Sequence, residues 1–250
     1  VAWLLDLDGV VWLSGRAIPR SVEAVARLRA SGERIVFVTN NSSARVAEQE
    51  GALAAIGVAA TGDVVTSAMA AAELLEPGTT ALVCGGPGID EALGRRGVTA
   101  VRDGAAGAVV VGFHRDFDYE RLRIAAGAVR GGARLIGTND DATYPTPEGE
   151  IPGGGSILAA VAYASGVTPT VAGKPFAPMA DAVRRLVGPG PHVMVGDRPS
   201  TDGAFARALG ATFALVLSGV TDLADLPVEP GPDVVGADLA AVVDTLLGRS

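Results

Sequence analysis

The sequence predicts an α/β protein: a doubly wound parallel sheet carrying a second α/β unit inserted into it. Three observations predict this. Short β-branched runs alternate with Ala/Leu-rich segments of helical spacing, the pattern of a mostly parallel sheet covered by helices on both faces. Glycines fall mainly at the joints, where helices stop and the chain turns. The gap between Thr39 and Lys174 is too long for one crossover and holds an alternation of its own. The expected division is a core of residues 1–79 plus 169–250 and an inserted unit of residues 80–168.

In chain order, the first strand falls in Leu4–Trp12, LLDLDGVVW. It closes on Asp6, Asp8 and Gly9, and carboxylates that close repel unless a cation compensates them. Helical spacing covers Ser21–Ala30 and Ala44–Ile56, on either side of the strand Arg34–Thr39 (RIVFVT), and Asp63–Thr66 adds another strand. Within the insert, Ala81–Cys84 and Ala108–Val111 read as strands, and Tyr119–Val129 and Ile157–Ala164 as helices. Gly85-Gly86-Pro87-Gly88 lacks the Gly-Lys-Ser/Thr ending of a phosphate loop and reads as a strand–helix joint. Gly153–Gly155 reads as a helix start that needs close backbone approach. A strand in Pro169–Ala172, a helix over Met179–Leu186 and strands at Val193–Val195 and Thr212–Leu217 complete the pass.

Composition narrows the function. The chain has 250 residues, 48% hydrophobic and 19% charged, enough apolar material for a real core. A net charge of −8 argues against non-specific nucleic-acid binding, which needs a basic surface. It leaves room for a small anion in a locally positive pocket. Cys84 stands alone, so no internal disulfide forms, and it reads as a small core hydrophobe. No apolar run suits a membrane span and no secretory leader is visible, so the expected location is the cytoplasm. His114 and His192 are far apart, lack metal-ligand spacing and read as structural.

Ligands of open α/β sheets sit at the carboxyl ends of the strands. Four strand ends carry chemistry: Asp6 and Asp8; Thr39, followed by Asn40, Asn41 and Ser42; Gly173-Lys174-Pro175; and Gly196-Asp197-Arg198, with Thr201 and Asp202 just beyond. Each reads blandly alone, as a strand exit, a strand residue, a surface lysine or a helix cap. If the strands are neighbours, the tips converge. Several carboxylates facing one lysine call for a divalent cation, and hard oxygen ligands suit Mg²⁺. A lysine, a hydroxyl and free backbone amides beside Mg²⁺ describe a phosphate site.

The set DxDG at Asp6–Gly9, Thr39 after a hydrophobic strand, Lys174, and GDRxxTD at Gly196–Asp202 resembles the haloacid dehalogenase superfamily of phosphatases. Thr39-Asn40-Asn41-Ser42, the segment Gly137–Pro147 (GTNDDATYPTP) and Gly173-Lys174-Pro175 narrow the resemblance to the NagD-like branch, and it runs along the whole chain. It implies a Rossmann-like core with a large inserted α/β cap of the C2 type. It implies Asp6 as nucleophile, Asp8 as general acid and then base, and Thr39 with the Gly9 and Asn40 amides holding phosphoryl oxygens. It implies Lys174 neutralising charge, and a Mg²⁺ held by Asp6, the Asp8 carbonyl and Asp197, with Asp202 acting through a water. In the cap loop Asn139–Thr146, with Asp140, Asp141 and Tyr144 as substrate contacts, Asp140 departs from the Asn-Pro-Asp of relatives, and Tyr144 replaces the histidine of pyridoxal phosphate enzymes.

The implied function is a Mg²⁺-dependent phosphatase acting on a small phosphorylated metabolite, with a homodimer through the cap as the expected assembly. A phosphotransferase or mutase of the same superfamily is the alternative. A receiver-like signalling module is the remote one, because its phosphoacceptor ends a later strand and needs no cap.

Overall fold

The computed structural model describes residues 1–13, 15–146 and 148–248. Its first half runs β1 (Ala2–Leu5), β2 (Trp12–Leu13), β3 (Arg16–Ala17), α1 (Ser21–Ala30), β4 (Arg34–Thr39), α2 (Val46–Ala55), β5 (Val64–Thr66) and α3 (Ser67–Ala72). There follow β6 (Thr80–Cys84), α4 (Pro87–Arg95), β7 (Thr99–Val101), β8 (Ala108–Val111), α5 (Tyr119–Arg130), β9 (Arg134–Gly137), β10 (Thr143–Thr146), β11 (Gly149–Pro152), α6 (Gly154–Ser165) and β12 (Thr170–Val171). The chain closes with α7 (Ala177–Val187), β13 (His192–Gly196), a wide turn at Pro199–Gly203, α8 (Ala204–Leu209), β14 (Thr212–Val216), β15 (Val234–Gly236) and α9 (Leu239–Leu247).

Two parallel sheets organise these elements. One has the order β15-β14-β13-β1-β4-β5, the other β12-β9-β8-β6-β7. Strand β1 is buried on both faces, as its unbroken apolar run AWLL requires. Its Leu5 pairs with Val195 of β13 on one side and Phe37 of β4 on the other. Asp6, Thr39 and Asp197 therefore leave neighbouring strands at one edge of one sheet. The chain departs from β1 toward β4 and returns on the other side as β13, so this edge is the switch point where α/β sheets hold ligands.

Apolar packing joins the two sheets. One buried cluster runs from Leu4, Val36 and Met194 through the alanines of α3 to Ala81, Val83, Ile89 and Leu93. Helices α1 and α9 close the other face of the first sheet, and α5 and α6 close the outer face of the second. Local signals agree with these helices: Asp118 caps α5 by accepting from Arg121 N (2.8 Å), and Asp238 caps α9 by accepting from Ala241 N (2.8 Å). Cys84 is buried in the second sheet's core. No helix among the described residues is long and apolar enough to cross a membrane.

Two expectations need correction. The second sheet runs on past residue 168, because Thr170 and Val171 pair with Ile136 and Gly137 of β9. Lys174 thus arrives from the edge of the second sheet rather than from a neighbour of β1. The loop Asn139–Thr146 is also partly strand: β10 and β11 form an antiparallel hairpin with Tyr144 opposite Ile151. Pro147, the end of that sequence segment, lies outside the described residues.

Candidate active site

Each carboxylate is placed by its own local structure. Asp6 N donates to Val195 O (3.0 Å), which continues the ladder one residue beyond β1. Gly9 turns with φ 85°, and a Cβ there would collide with Asp197. Glycine at position 9 therefore serves both the turn and the close approach. Asp197 is held from behind: its Oδ2 accepts from Val220 N (2.8 Å) and its carbonyl from the Thr221 hydroxyl. The turn after Arg198 swings Asp202 back under β13, and a Cβ on Gly196 would collide with that side chain.

Lys174 ties this group together. It is only 1% exposed, and its Nζ lies 2.8 Å from Asp6 Oδ1 and 2.7 Å from Asp202 Oδ1. Asp202 Oδ2 accepts from Arg198 N (3.2 Å), so both its oxygens are engaged. Carboxylate oxygens of Asp6, Asp197 and Asp202 all lie within 4.8 Å of one another. One ammonium among three carboxylates leaves the group short of positive charge. Burial raises the Asp6 carboxyl well above the usual range; Lys174 opposes the rise, and Asp202 and Asp197 add to it. Burial and then the Asp202 charge push Asp197 up to about 7. Burial works against the Lys174 charge, but Asp202 and Asp6 prevail and hold it above the usual lysine range. A divalent cation bound by hard oxygens fits this set, and it would keep Asp197 ionised.

Above the cluster the second sheet supplies the opposite wall. The cleft encloses about 670 Å³ of space, open to solvent, and is lined by Asp6, Asp8, Thr39, Asn41, Lys174 and Tyr144 among others. Thr39 Oγ1 accepts from Asn41 N (3.0 Å). The Tyr144 hydroxyl faces Asp8 and Asn41 across the cleft, and burial and then the Asp8 charge raise its pKa above the usual tyrosine range. Asn40 joins the two sheets. Its Oδ1 accepts from Lys174 N (2.8 Å), and its Nδ2 donates to Lys174 O (3.1 Å) and to Asp141 Oδ2 (3.0 Å). Burial raises the Asp141 carboxyl, and the Asn40 bond opposes that rise.

The structure thus gathers Asp6, Asp8, Thr39, Asn40, Asn41, Asp141, Tyr144, Lys174, Asp197 and Asp202 around one cleft. Gly9 backs it through Asp197. Asp140 is different: its side chain is exposed and does not line the cleft, because its carbonyl packs on Gly155 at the start of α6. The Asp8 carboxylate is not part of the acidic triplet, and the metal expectation for Asp8 concerned its backbone carbonyl. Sequence reading missed Asn139, whose Nδ2 donates to Asn40 O (2.8 Å), Phe113, which stacks on Tyr144 (5.6 Å between centroids), and Val220. The strand-end rule would have found all three, since Asn139 follows β9, Phe113 follows β8 and Val220 follows β14.

Comparisons with known proteins match this geometry. A model of haloacid dehalogenase-like hydrolases matches residues 3–99, and a HAD-hydrolase-like model matches residues 171–242. The chain is 38% identical to a D-glycerol 3-phosphate phosphatase of Mycobacterium tuberculosis, over 96% of this chain and 70% of the relative. A crystal structure of a glycerol phosphate phosphatase from that organism in complex with magnesium superposes with a TM-score of 0.89 at 35% identity, covering 96% of this chain and 75% of that one. A p-nitrophenyl phosphatase from Archaeoglobus fulgidus gives a TM-score of 0.91 at 30% identity, over 98% of both chains. Matched on both sides of the inserted sheet and along nearly its whole length, the chain belongs to the haloacid dehalogenase-like hydrolases, in their NagD-like phosphatase branch.

Proposed function

We propose that the chain hydrolyses a small-metabolite phosphomonoester through an aspartyl-phosphate on Asp6. The observation that carries this reading is the buried Lys174 ammonium shared by Asp6 and Asp202 beside Asp197, at the floor of a cleft. The unit built on the second sheet serves as a cap that excludes water and faces the leaving group. Asp6 Oδ attacks phosphorus and the bond to the leaving oxygen breaks. Asp8, which lines the cleft with Tyr144, gives that oxygen its proton. Asp8 then takes a proton from water as the water attacks the phosphorus of the acyl phosphate. Phosphate leaves and Asp6 is restored.

Lys174, the Thr39 hydroxyl and nearby amides stabilise the charge that spreads over the phosphoryl oxygens. Asp6, the Asp8 carbonyl and Asp197 would hold Mg²⁺, and Asp202, with both oxygens occupied, would act through water. When bound, Mg²⁺ supplies positive charge to the transferring phosphoryl group. The magnesium complex of the M. tuberculosis glycerol phosphate phosphatase supports that choice of metal.

The test is phosphate release across a panel of metabolite phosphomonoesters and p-nitrophenyl phosphate, with Mg²⁺, with EDTA and with excess Ca²⁺. Multiple turnover is expected with Mg²⁺, and loss of activity in EDTA and in Ca²⁺, whose larger coordination sphere suits a site for in-line attack poorly. Stoichiometric release that stops after one equivalent would favour a phosphoacceptor module, and transfer to an added alcohol without net hydrolysis a phosphotransferase.

A further inference from the structure

A second pocket opens where the strand order of the second sheet reverses. From β6 the chain passes through α4 to β7 on one side, while β8 lies on the other. The loops after β6 and β8 part there, which is the place where open α/β sheets take ligands. They enclose about 770 Å³ of space, open to solvent. The glycines of the first loop are explained by packing, since a Cβ on Gly86 would collide with Ser43, and Gly88 N donates to Ser43 O (2.9 Å). The ligand-facing chemistry is elsewhere. Arg102, Arg115 and Arg121 line the pocket against one carboxylate, Asp116, on a chain of net charge −8. Arg102 is paired with Asp90 and Arg121 with Asp116, whereas Arg115 has no carboxylate partner among the described residues.

His114 also lines this pocket, and it is 6% exposed. Its Nδ1 lies 3.0 Å from Gly112 O, and a carbonyl only accepts, so Nδ1 carries the proton. Burial lowers the ring's basicity and keeps it neutral. Nε2 is then a buried acceptor with no protein partner, which is costly to leave unfilled. Phe113 borders both pockets and stacks on Tyr144 of the active site.

We propose that this pocket binds a small hydroxylated oxyanion, with a hydroxyl donating to His114 Nε2 and the anionic group at Arg115 and its neighbouring guanidinium groups. The ligand is either the far end of a substrate that reaches past Phe113 or a separate metabolite. The first source rests on the phosphatase reading; the binding itself does not.

The chain has two histidines, so their ring nitrogens are separable by NMR in the full ¹⁵N-labelled protein. Titration with gluconate should shift His114 Nε2 saturably, leave His192 unmoved, and be weakened roughly tenfold by the exposed substitution Arg115→Gln. No shift, a shift that never saturates, or equal binding by Arg115→Gln would overturn the proposal, the first of these meaning that water alone fills the pocket. A selective loss of kcat/KM for 6-phosphogluconate over glucitol 6-phosphate in Arg115→Gln would identify a substrate tail. A gluconate-dependent rate on p-nitrophenyl phosphate, absent in Arg115→Gln, would identify an effector. Gluconate binding without any phosphatase activity would break the phosphatase reading and leave the pocket standing.

Discussion

Asp6 and Asp202 share one ammonium, so neither can be changed without altering the other. On the proposed mechanism, replacing Asp6 with Asn removes the carboxylate that forms the acyl phosphate. Turnover of p-nitrophenyl phosphate should fall by about 10³-fold or more. The same change removes a carboxylate whose charged form burial and its neighbours disfavour. The metal-free Asp6→Asn protein should therefore unfold at the same temperature as wild type or higher, in keeping with the usual opposition of activity and stability at such sites. Substantial residual turnover, with contaminants excluded, would mean that the nucleophile is misassigned. Lys174→Met acts in the reverse sense. It leaves Asp202, 1% exposed, beside Asp6 and Asp197 without its ammonium partner. Breaking a buried pair this way typically costs about 3–5 kcal/mol. Thermal unfolding without metal should show a large drop in Tm, and an unchanged Tm would mean that the Lys174 ion pairs carry no net stability.

At the scale of elements, the question is what keeps Lys174 in register with β1 when it arrives from the other sheet. Asn40, at the end of β4, pairs its amide with both backbone polar groups of Lys174, while its own carbonyl accepts from Ser67 Oγ (2.8 Å) and Asn139 Nδ2 (2.8 Å). Asn40→Ala should lower kcat on p-nitrophenyl phosphate by roughly 10–100-fold with little change in KM, because misplacement near the chemistry is paid in the transition state. Unchanged kcat would show that the ion pairs alone hold Lys174. This junction was not legible in the sequence. Hydrophobic runs located β1, β4 and β13, and their ends named Asp6, Thr39 and Asp197, because parallel strands bring their carboxyl ends to one edge whatever their order. Which sheet carries Thr170–Val171 depends on pairing, and two residues hold no periodicity to reveal it. Helix α3, SAMAAA, was missed because small residues give little amphipathic contrast, and β10 because its polar Thr-Tyr-Pro-Thr run reads as loop. Asp140 and Asp141 are adjacent in the chain, yet only the backbone turn decides that Asp141 faces Asn40 and Asp140 faces solvent.

For the whole molecule, the acidic cluster ties stability to pH and metal together. Asp197 has a folded pKa of about 7 against an ordinary value of 3.8, and Asp6 is raised as well. A carboxyl raised on folding contributes stability that is fully present below its unfolded value and is lost as pH rises through its folded value. On this contribution the metal-free protein should be more stable near pH 5.5 than near pH 8, by on the order of 2 kcal/mol from Asp197, with Asp6 acting in the same direction. Asp233 and Asp244 act in the opposite sense. Bonds from Arg207 and Arg27 hold them below the ordinary range, so their contribution is lost only as pH falls below about 4. His114, lowered by burial, also opposes, since its contribution is lost as pH falls through its folded value. That effect is common to metal-free and metal-loaded protein and cancels in their difference. Mg²⁺ needs ionised ligands, so at pH 5.5 it must displace protons that at pH 8 are already gone. The increase in Tm between EDTA and saturating Mg²⁺ should therefore be larger at pH 8 than at pH 5.5, and Asp197→Asn should abolish most of the increase at both. Thermal unfolding at two pH values with and without metal measures all of this. An equal or larger Mg²⁺ effect at pH 5.5 would show that the cluster stays ionised without the metal, its charge balanced by Lys174 alone.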